Sequence, residues 1–425
     1  MNHLIEYRNI VISLSGKLIL NVNQLAVPSH RCTLLTGKNG SGKTTLFKIM
    51  SGLLKPHSCS IHYQGLDLSW KQAKHFIQKD IIYLQDSDKY SEQELIFSDE
   101  KIYVPGVSLT QRNRDTDEVY LGYSSPKTPS RVYKFNLSNK SKKLVKEQEI
   151  PSGHSPDNYI VERVEFKSHD GRLVPLTITR HKKTKIDGSA NLLLYGYGSY
   201  GSSMSPSFSS TRLSLIDRDI IWATAHIRGG MEKGMKWWKE GKLTNKKNTF
   251  EDYIHAAQYL IENKFTSKGK IIGMGGSAGG LLMGAVVNQS PELFLGIIMA
   301  VPFVDSLTTN LDHSLPLTVG EFDEFGNAKD NKEHFDYIFS YAPYNNIKKK
   351  DYPHMLITTS LSDNRVLFDE PAKFTAKLRE YKTDNNLLLL KTEMNAGHGG
   401  KSGRDGAIEE IAIDYAFALK IAKKI

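Results

Sequence analysis

The chain has 425 residues, of which 39% are hydrophobic and 24% are charged, and its formal net charge is +10. This composition is typical of a globular protein and excludes a disordered or fibrous chain. The basic residues are scattered and form no stripe interleaved with aromatic residues, so the positive charge does not indicate a nucleic-acid partner.

The cysteines, Cys32 and Cys59, lie in no CxxC pair, which predicts neither a disulfide framework nor a metal site. The amino terminus has no basic stretch followed by an apolar one, as a signal peptide would have. The longest apolar run, "LFLGIIMAVPFV", is too short to cross a bilayer. We therefore expect a soluble, cytoplasmic protein without membrane insertion.

The first segment, residues 1–85, alternates short apolar strands with turns and contains the stretch "TGKNGSGKTT". Residues 37–44 fit the pattern GxxxxGK[ST] between an apolar strand and a helix, the context that a phosphate-binding loop requires. In such a loop backbone amides face the phosphates, the lysine reaches the β and γ oxygens, and the hydroxyl holds Mg²⁺. The pattern predicts a site for ATP with Mg²⁺ that is formed by Gly37, Gly40, Gly42, Lys43 and Thr44.

This segment resembles the beginning of an ABC transporter ATPase subunit, in which Gln85 of "IIYLQ" corresponds to the Q-loop glutamine. Neither a signature motif nor a Walker B aspartate–glutamate pair follows nearby. Without a Walker B carboxylate nothing completes the Mg²⁺ site, so we expect nucleotide binding at most, without turnover. We do not expect contact with a transporter membrane subunit.

The sequence changes its pattern twice after residue 85. Residues 86–160 include "EVYLGYSS" and "SRVYKFNL", in which polar and apolar residues alternate as in antiparallel strands. From residue 161, strand-like runs such as "NLLLYGYG" and "DIIWATAHI" alternate with helical ones such as "TFEDYIHAAQYLIENK". This alternation predicts an α/β fold with a mostly parallel sheet and helices on both faces.

A candidate nucleophile lies in "KIIGMGGSAGGLLMGAVV", where residues 275–279 form a GxSxG motif around Ser277. An apolar strand precedes the motif and a helix of small residues follows it, as in a nucleophile elbow. A serine nucleophile needs a base and an orienting carboxylate, which in this fold class follow in the order Ser, Asp, His. Asp363 after one predicted strand and His398 after the next satisfy this order and complete a predicted triad.

Residues 90–425 resemble the carboxy-terminal part of the prolyl oligopeptidase family, closest to its oligopeptidase B branch. The matching strings include "LLYGYGSYG", "KKNTFEDY", "GGSAGG", "PLTVGEFDEFGN" and "GHGGKSGR". The resemblance implies an α/β-hydrolase domain at residues 161–425, preceded by about one blade of a β-propeller at residues 86–160. It implies Ser277 as the nucleophile, His398 as general base and then acid, and Asp363 as the orienting group, with no cofactor. The Tyr197 hydroxyl and the Ala278 amide would hold the oxyanion.

The same resemblance implies that short peptides are cleaved after Arg or Lys through an acyl-enzyme. Glu321 corresponds to the carboxylate that binds the basic side chain, and Asp323 to a second acidic position beside it. Arg365 corresponds to an arginine that in prolyl oligopeptidase binds the substrate backbone. Ser205 and Ser207 stand where the family carries an acidic pair, so a preference for two basic residues is not implied.

Most of the family's propeller has no counterpart in this sequence, so we expect a fusion of two truncated genes whose hydrolase activity and solubility are impaired. Two alternatives remain open at this stage. One is a nucleotide-binding ABC fragment that carries an inactive hydrolase. The other is an esterase or a prolyl-specific peptidase that uses the same triad, and a dependence of cleavage on Glu321 would argue against it.

Overall fold

In the computed structural model of the chain the described residues are 3–14, 17–28, 46, 58–63, 66–68, 83–86, 91–94, 100–107, 117–136 and 138–425. Two compact units are present. The first comprises Met1–Lys101, Pro105–Gly122 and Tyr133–Lys143, and the second comprises Ile102–Val104, Tyr123–Val132 and Leu144–Ile425.

The first unit contains a sheet of four strands, in the order β2-β1-β3-β4. Its strands are β1 (His3–Leu14), β2 (Lys17–Pro28), β3 (Ser58–Tyr63) and β4 (Leu66–Leu68). Strand β1 pairs antiparallel with both β2 and β3, and its side chains Tyr7, Ile10 and Ile12 are buried. Strands β5 (Tyr83–Asp86) and β6 (Ser91–Glu94) form a separate antiparallel pair.

Four further strands follow one another in a second sheet, with the sequential order β10-β9-β8-β7. They are β7 (Val104–Val107), β8 (Glu118–Ser124), β9 (Arg131–Asn136) and β10 (Lys142–Glu147). A sequential four-stranded sheet is the size of one propeller blade. The origin of this sheet as the remnant of a propeller stays a prediction.

The second unit is built on an eight-stranded sheet with the order β11-β12-β14-β13-β15-β16-β17-β18. Strands β11, β12 and β14 pair antiparallel, and the pairs from β14 through β18 are parallel. This confirms the predicted mostly parallel sheet. The strands are β11 (Tyr159–Lys167), β12 (Leu173–His181), β13 (Asn191–Tyr195), β14 (Ile220–Ala225), β15 (Ile271–Gly276), β16 (Phe294–Ala300), β17 (His354–Ser360) and β18 (Leu388–Glu393).

Helices cover both faces of this sheet, which explains why its central strands are largely apolar on both faces. Leu192 and Leu194 of β13 face one hydrophobic cluster, while Leu193 between them faces the other. The described helices are α1 (Leu213–Ile216), α2 (Met235–Lys239), α3 (Lys247–Glu262), α4 (Ala278–Gln289), α5 (Ser306–Leu311), α6 (Phe322–Phe325), α7 (Lys332–Phe339), α8 (Asp369–Tyr381) and α9 (Arg404–Ile421).

Helices α3, α4 and α8 pack in the first cluster, and α1 and α9 in the second. Short 3₁₀ turns occur at Pro156–Asn158, Leu243–Asn245, Pro291–Leu293 and Thr318–Glu321. Among the helices of the described ranges, none combines the length and the apolar composition that a membrane span needs.

Candidate active site

Ser277 occupies the sharp turn between strand β15 and helix α4. Its backbone has φ 55° and ψ −119°, a strained conformation for a residue with a side chain. The turn is fixed because the Ser277 N–H donates to the Ala300 carbonyl at 2.8 Å and the Ser277 carbonyl accepts from the Gly280 N–H at 2.8 Å. A Cβ atom at Gly275 would lie 2.4 Å from the Gly279 carbonyl oxygen, so that position requires glycine. The GxSxG motif thus reflects a close approach of the backbone to itself.

The structure brings the three predicted triad residues together. His398 Nε2 lies 3.0 Å from Ser277 Oγ, and His398 Nδ1 lies 2.8 Å from Asp363 Oδ2. The other carboxylate oxygen, Asp363 Oδ1, accepts the N–H groups of Arg365 at 2.9 Å and Val366 at 3.0 Å. With the Nδ1–H donated to this buried carboxylate, Nε2 is free to accept the serine proton.

The topology of the sheet explains why residues so distant in sequence meet. Strands β15, β17 and β18 run parallel, and Ser277, Asp363 and His398 follow their carboxyl ends. The carboxyl ends of parallel strands lie at one edge of a sheet, where sites of α/β proteins form.

A cavity of about 350 Å³ opens beside Ser277. Of the residues predicted from sequence, Tyr197, Ala278, Glu321 and Arg365 line it. Tyr200, which sequence analysis did not single out, lines it as well.

Asp323 departs from its predicted position in this site. Its side chain is 78% exposed and Oδ2 lies 2.9 Å from Lys242 Nζ, so it pairs with a lysine instead of lining the cavity. Its neighbour Glu324 is buried, and Glu321 lies in the cavity wall. The acidic string "EFDE" thus contributes one carboxylate to the cavity wall, from Glu321.

Glu321 supplies this carboxylate with one oxygen still available. Within the described part of the chain its Oε2 is buried and has no hydrogen-bond partner. Burial raises the pKa of Glu321, whereas the hydrogen bond from the Tyr200 hydroxyl and the charge of Lys246 lower it. A half-buried carboxylate with a buried, unused acceptor oxygen is suited to a cationic group that donates hydrogen bonds.

Glu324 and Lys246 form a buried charged pair behind the cavity wall. Glu324 accepts the Tyr200 N–H at 3.0 Å and the Trp238 Nε1–H at 2.7 Å, and Lys246 Nζ lies 3.7 Å from its Oε1. No local pattern in the sequence indicates these roles, although Lys246 stands in the matching string "KKNTFEDY".

The loop that carries Tyr197 and Tyr200 is supported by the segment around Arg228. The Gly201 N–H donates to the Gly229 carbonyl at 2.8 Å. A Cβ atom at Gly229, whose φ is 97°, would lie 1.9 Å from the Gly198 carbonyl oxygen, so the approach of the two loops requires glycine there.

Tyr197 keeps its proton at neutral pH, since burial raises its pKa to about 12. A protonated hydroxyl can donate a hydrogen bond to a developing oxyanion. Ala278, at the start of helix α4, presents its N–H at a helix amino terminus, where negative charge is favoured.

The described residues include only part of the predicted nucleotide site. Residues 37–44 lie outside the described residues, and the backbone of Gln85 lies in strand β5. Among the described residues, no group of three or more His, Cys, Asp or Glu side chains is arranged to hold a metal ion.

Two family models match the chain. Residues 206–424 match the prolyl oligopeptidase family, and residues 20–149 match the ABC transporter family. The second match extends beyond residue 85, the predicted end of the ABC-like segment, into the segment predicted as a propeller blade. The domain boundaries therefore stay predictions.

Relatives and solved structures match the chain as well. The chain is 45% identical over 328 residues to Protease 2 of Moraxella lacunata, a match that covers 77% of this chain and 47% of that protein. It is 44% identical over 327 residues to dipeptidyl aminopeptidase BI of Pseudoxanthomonas mexicana, covering 77% and 45%. Oligopeptidase B from Leishmania major superposes with a TM-score of 0.74 at 37% identity, covering 86% of this chain and 50% of that one.

Oligopeptidase B from Trypanosoma brucei, in a closed form with covalently bound antipain, gives a TM-score of 0.74 at 38% identity and covers 86% and 50%. The chain thus spans about half the length of the relatives that it matches. The family model covers more than half of this chain. The resemblance to this peptidase family is confirmed, and the chain belongs to the prolyl oligopeptidase family.

Proposed function

We propose that this chain is a serine endopeptidase of the oligopeptidase B type, which cleaves short peptides after Arg or Lys through an acyl-enzyme. The observation that supports this most directly is the chain of contacts from Ser277 through His398 to Asp363, at 3.0 and 2.8 Å. It lies beside a cavity whose wall contains the half-buried carboxylate of Glu321.

The proposed reaction begins when Ser277 Oγ attacks the peptide carbonyl carbon and His398 Nε2 takes the hydroxyl proton. The carbonyl π electrons move onto oxygen, and the Tyr197 hydroxyl and the Ala278 N–H donate to that oxyanion. The intermediate then expels the amine, which receives the proton from His398, and leaves an acyl-enzyme. Water attacks the acyl-enzyme by the same route and releases the acid. Asp363 accepts the His398 Nδ1–H and orients the imidazole.

The chemistry is tested by treating the purified full chain with a fluorophosphonate probe, which forms a covalent bond with an activated serine. We expect one labelled site, at Ser277, with labelling that decreases when substrate peptide is added. An unlabelled Ser277 in folded protein would contradict the proposal and favour the hypothesis of an inactive hydrolase.

The proposed substrate class predicts that Glu321→Gln lowers kcat/KM about 100-fold for a peptide ending in Arg, because a charge-assisted contact to the carboxylate of the cavity wall is lost. The rate on a matched Pro-terminated peptide should change little. Both substrates are measured by steady-state fluorescence.

Asp323→Asn is the matched control. It removes a carboxylate of the same turn, but this carboxylate is exposed and pairs with Lys242. We expect its kcat/KM to equal that of the wild type. An equal loss on both peptides in Glu321→Gln would contradict a specific contact of Glu321 with the basic side chain. Wild-type cleavage after Pro alone would instead favour a prolyl-specific enzyme.

For the first unit we propose nucleotide binding without hydrolysis, supported by the ABC transporter match and by the GxxxxGK[ST] pattern at residues 37–44. Lys43→Ala should weaken binding of fluorescent ATP with Mg²⁺ at least tenfold, because the lysine that contacts the phosphates is removed. Equilibrium fluorescence anisotropy measures this, with Lys17→Ala as a lysine control outside the motif. Equal affinities of the wild type and Lys43→Ala would contradict the proposal.

A further inference from the structure

Lys246 is a buried charged residue to which the proposed reaction gives no role. It precedes helix α3, and its side chain is 1% exposed. An ammonium group out of contact with water is costly unless it is paired and hydrogen-bonded. Burial lowers the pKa of Lys246 to about 8, so the charged form still predominates at pH 7.

The hydrogen bonds of Lys246 end on the loop that lines the cavity. Nζ donates to the Gly198 carbonyl at 2.7 Å and to Ser199 Oγ at 2.6 Å. These two residues connect Tyr197 with Tyr200, both of which line the cavity beside Ser277. Lys246 therefore holds the backbone between the two tyrosines from behind.

The third contact of Lys246 sets the charge behind the cavity wall. Nζ lies 3.7 Å from Glu324 Oε1, and Glu324 accepts two further donors, the Tyr200 N–H and the Trp238 Nε1–H. The positive charge of Lys246 and the negative charge of Glu324 balance. Glu321, with its partnerless Oε2, is left with the uncompensated negative charge of this group.

Within the described ranges, the other titratable or charged groups that interact with Glu321 or line the same cavity are Tyr197, Tyr200 and Arg365. Burial and the charge of Glu324 raise the pKa of Glu321, and the charge of Lys246 lowers it. Lys246 thus favours the ionised form of Glu321, while Glu324 without its lysine would oppose it.

We infer that Lys246 is a positioning residue for the basic side chain of the substrate. It neutralises Glu324, so that Glu321 alone carries the negative charge of the cavity, and it fixes the loop of Tyr197 and Tyr200. The inference rests on the proposed function, because it takes the cavity to be the site of the basic side chain.

The variant Lys246→Met removes the cation that pairs with Glu324 and that lowers the pKa of Glu321, so the pKa of Glu321 rises. A cation binds while Glu321 is ionised, so binding is lost as pH falls through the pKa of Glu321. Raising that pKa moves the loss to higher pH. Because the charge of Lys246 lowers the pKa of Glu321, we expect its removal to raise the midpoint of binding by up to about one pH unit.

Removing the second carboxylate as well should reverse this shift. In Lys246→Met/Glu324→Gln, Glu321 is again the single charged carboxylate, and its midpoint should return close to that of the wild type. Glu324→Gln alone removes the repulsion and keeps the lysine, so its midpoint should fall below that of the wild type.

The probe is benzamidine, a planar cation whose amidinium matches a carboxylate. Isothermal titration of the full chain between pH 5 and pH 7.5 gives its Kd for the wild type and the three variants. Lys247→Met is the matched control, because it removes the same charge from the next residue, whose side chain is exposed. Its midpoint should equal that of the wild type.

If Lys246 were only structural, Lys246→Met would weaken binding by the same factor at every pH, and adding Glu324→Gln would not restore the midpoint. That result would overturn the inference. Should Lys246→Met fail to fold, the inference is tested by comparing Lys246→Met/Glu324→Gln with Glu324→Gln. The midpoint of benzamidine binding must then be higher in the double variant. Benzamidine binding needs no turnover, so the two proposals can fail separately. If the fluorophosphonate does not label Ser277 but the binding midpoints shift as expected, only the proposed peptidase activity is contradicted. If Ser277 is labelled but the binding midpoints of the variants are equal, only the role of Lys246 is contradicted.

Discussion

Replacing Ser277 with alanine is expected to lower kcat on an Arg-terminated peptide about 10⁴-fold or more, while KM changes little. The serine oxygen is the atom that attacks, and its contact with His398 at 3.0 Å shows that the base is already placed. The remaining rate would come from the Tyr197 hydroxyl and the Ala278 amide, which still stabilise an oxyanion formed by attack of water. Steady-state fluorescence with concentrated enzyme measures the residual rate.

The three residues are expected to act as a unit, which a second variant tests. His398→Ala alone should cost about as much as Ser277→Ala, and the double variant should cost hardly more than either, because each change disables the same step. Ser290→Ala, at the opposite end of helix α4, is the control and should keep wild-type kcat. Effects of Ser277→Ala and His398→Ala that multiply would contradict a shared step, as would a Ser277→Ala variant of full activity.

The nucleophile turn could be predicted from sequence because the motif encodes a local backbone geometry. Gly275 is needed where the turn leaves no space for a side chain, and Ser277 must take a positive φ before helix α4 begins. Asp363 and His398 were found through their order after successive strands, because the ends of parallel strands meet at one edge of a sheet. In both cases a short stretch of sequence, together with a general rule of the fold, was sufficient.

The acidic string "EFDE" shows where sequence was insufficient. Thr318–Glu321 form a 3₁₀ turn that continues into the helical turn Phe322–Phe325. Residues three apart on a helix share a face, so Glu321 and Glu324 point inward together while Asp323 faces solvent. Unless the helical conformation is known, the string alone does not indicate which carboxylates face the same side.

The support of the Tyr197 loop could not be predicted for a different reason. The segments around Lys246 and Arg228 form hydrogen bonds with a loop that lies tens of residues away in sequence. In the sequence alone, each of the two is an ordinary basic residue. Only the fold brings the Lys246 ammonium to the Gly198 carbonyl and the Gly229 carbonyl to the Gly201 amide. Long-range polar contacts of this kind leave no periodic pattern.

Asp252→Ala is expected to lower the free energy of unfolding of the second unit by about 3–5 kcal/mol. Arg228 and Asp252 are both buried, and the guanidinium donates to the carboxylate from Nε at 2.9 Å and from Nη2 at 2.6 Å. The Arg228 N–H also donates to Asp252 Oδ2 at 3.0 Å. Removing the carboxylate leaves a buried cation whose one remaining charged partner among the described residues is Asp170, which is partly exposed. Urea denaturation followed by tryptophan fluorescence measures the loss.

Two controls separate the unpaired charge from the lost contacts. In Arg228→Met/Asp252→Leu both charges are removed, so this variant should be clearly more stable than Asp252→Ala, because no buried cation is left without its partner. Asp170→Asn should cost about 1 kcal/mol or less, since that carboxylate is partly exposed. A double variant no more stable than Asp252→Ala would show that the packing of these side chains, and not their charge, stabilises the segment.

Because the Gly229 carbonyl accepts the Gly201 N–H, Asp252→Ala should also weaken benzamidine binding at the cavity that Tyr200 lines.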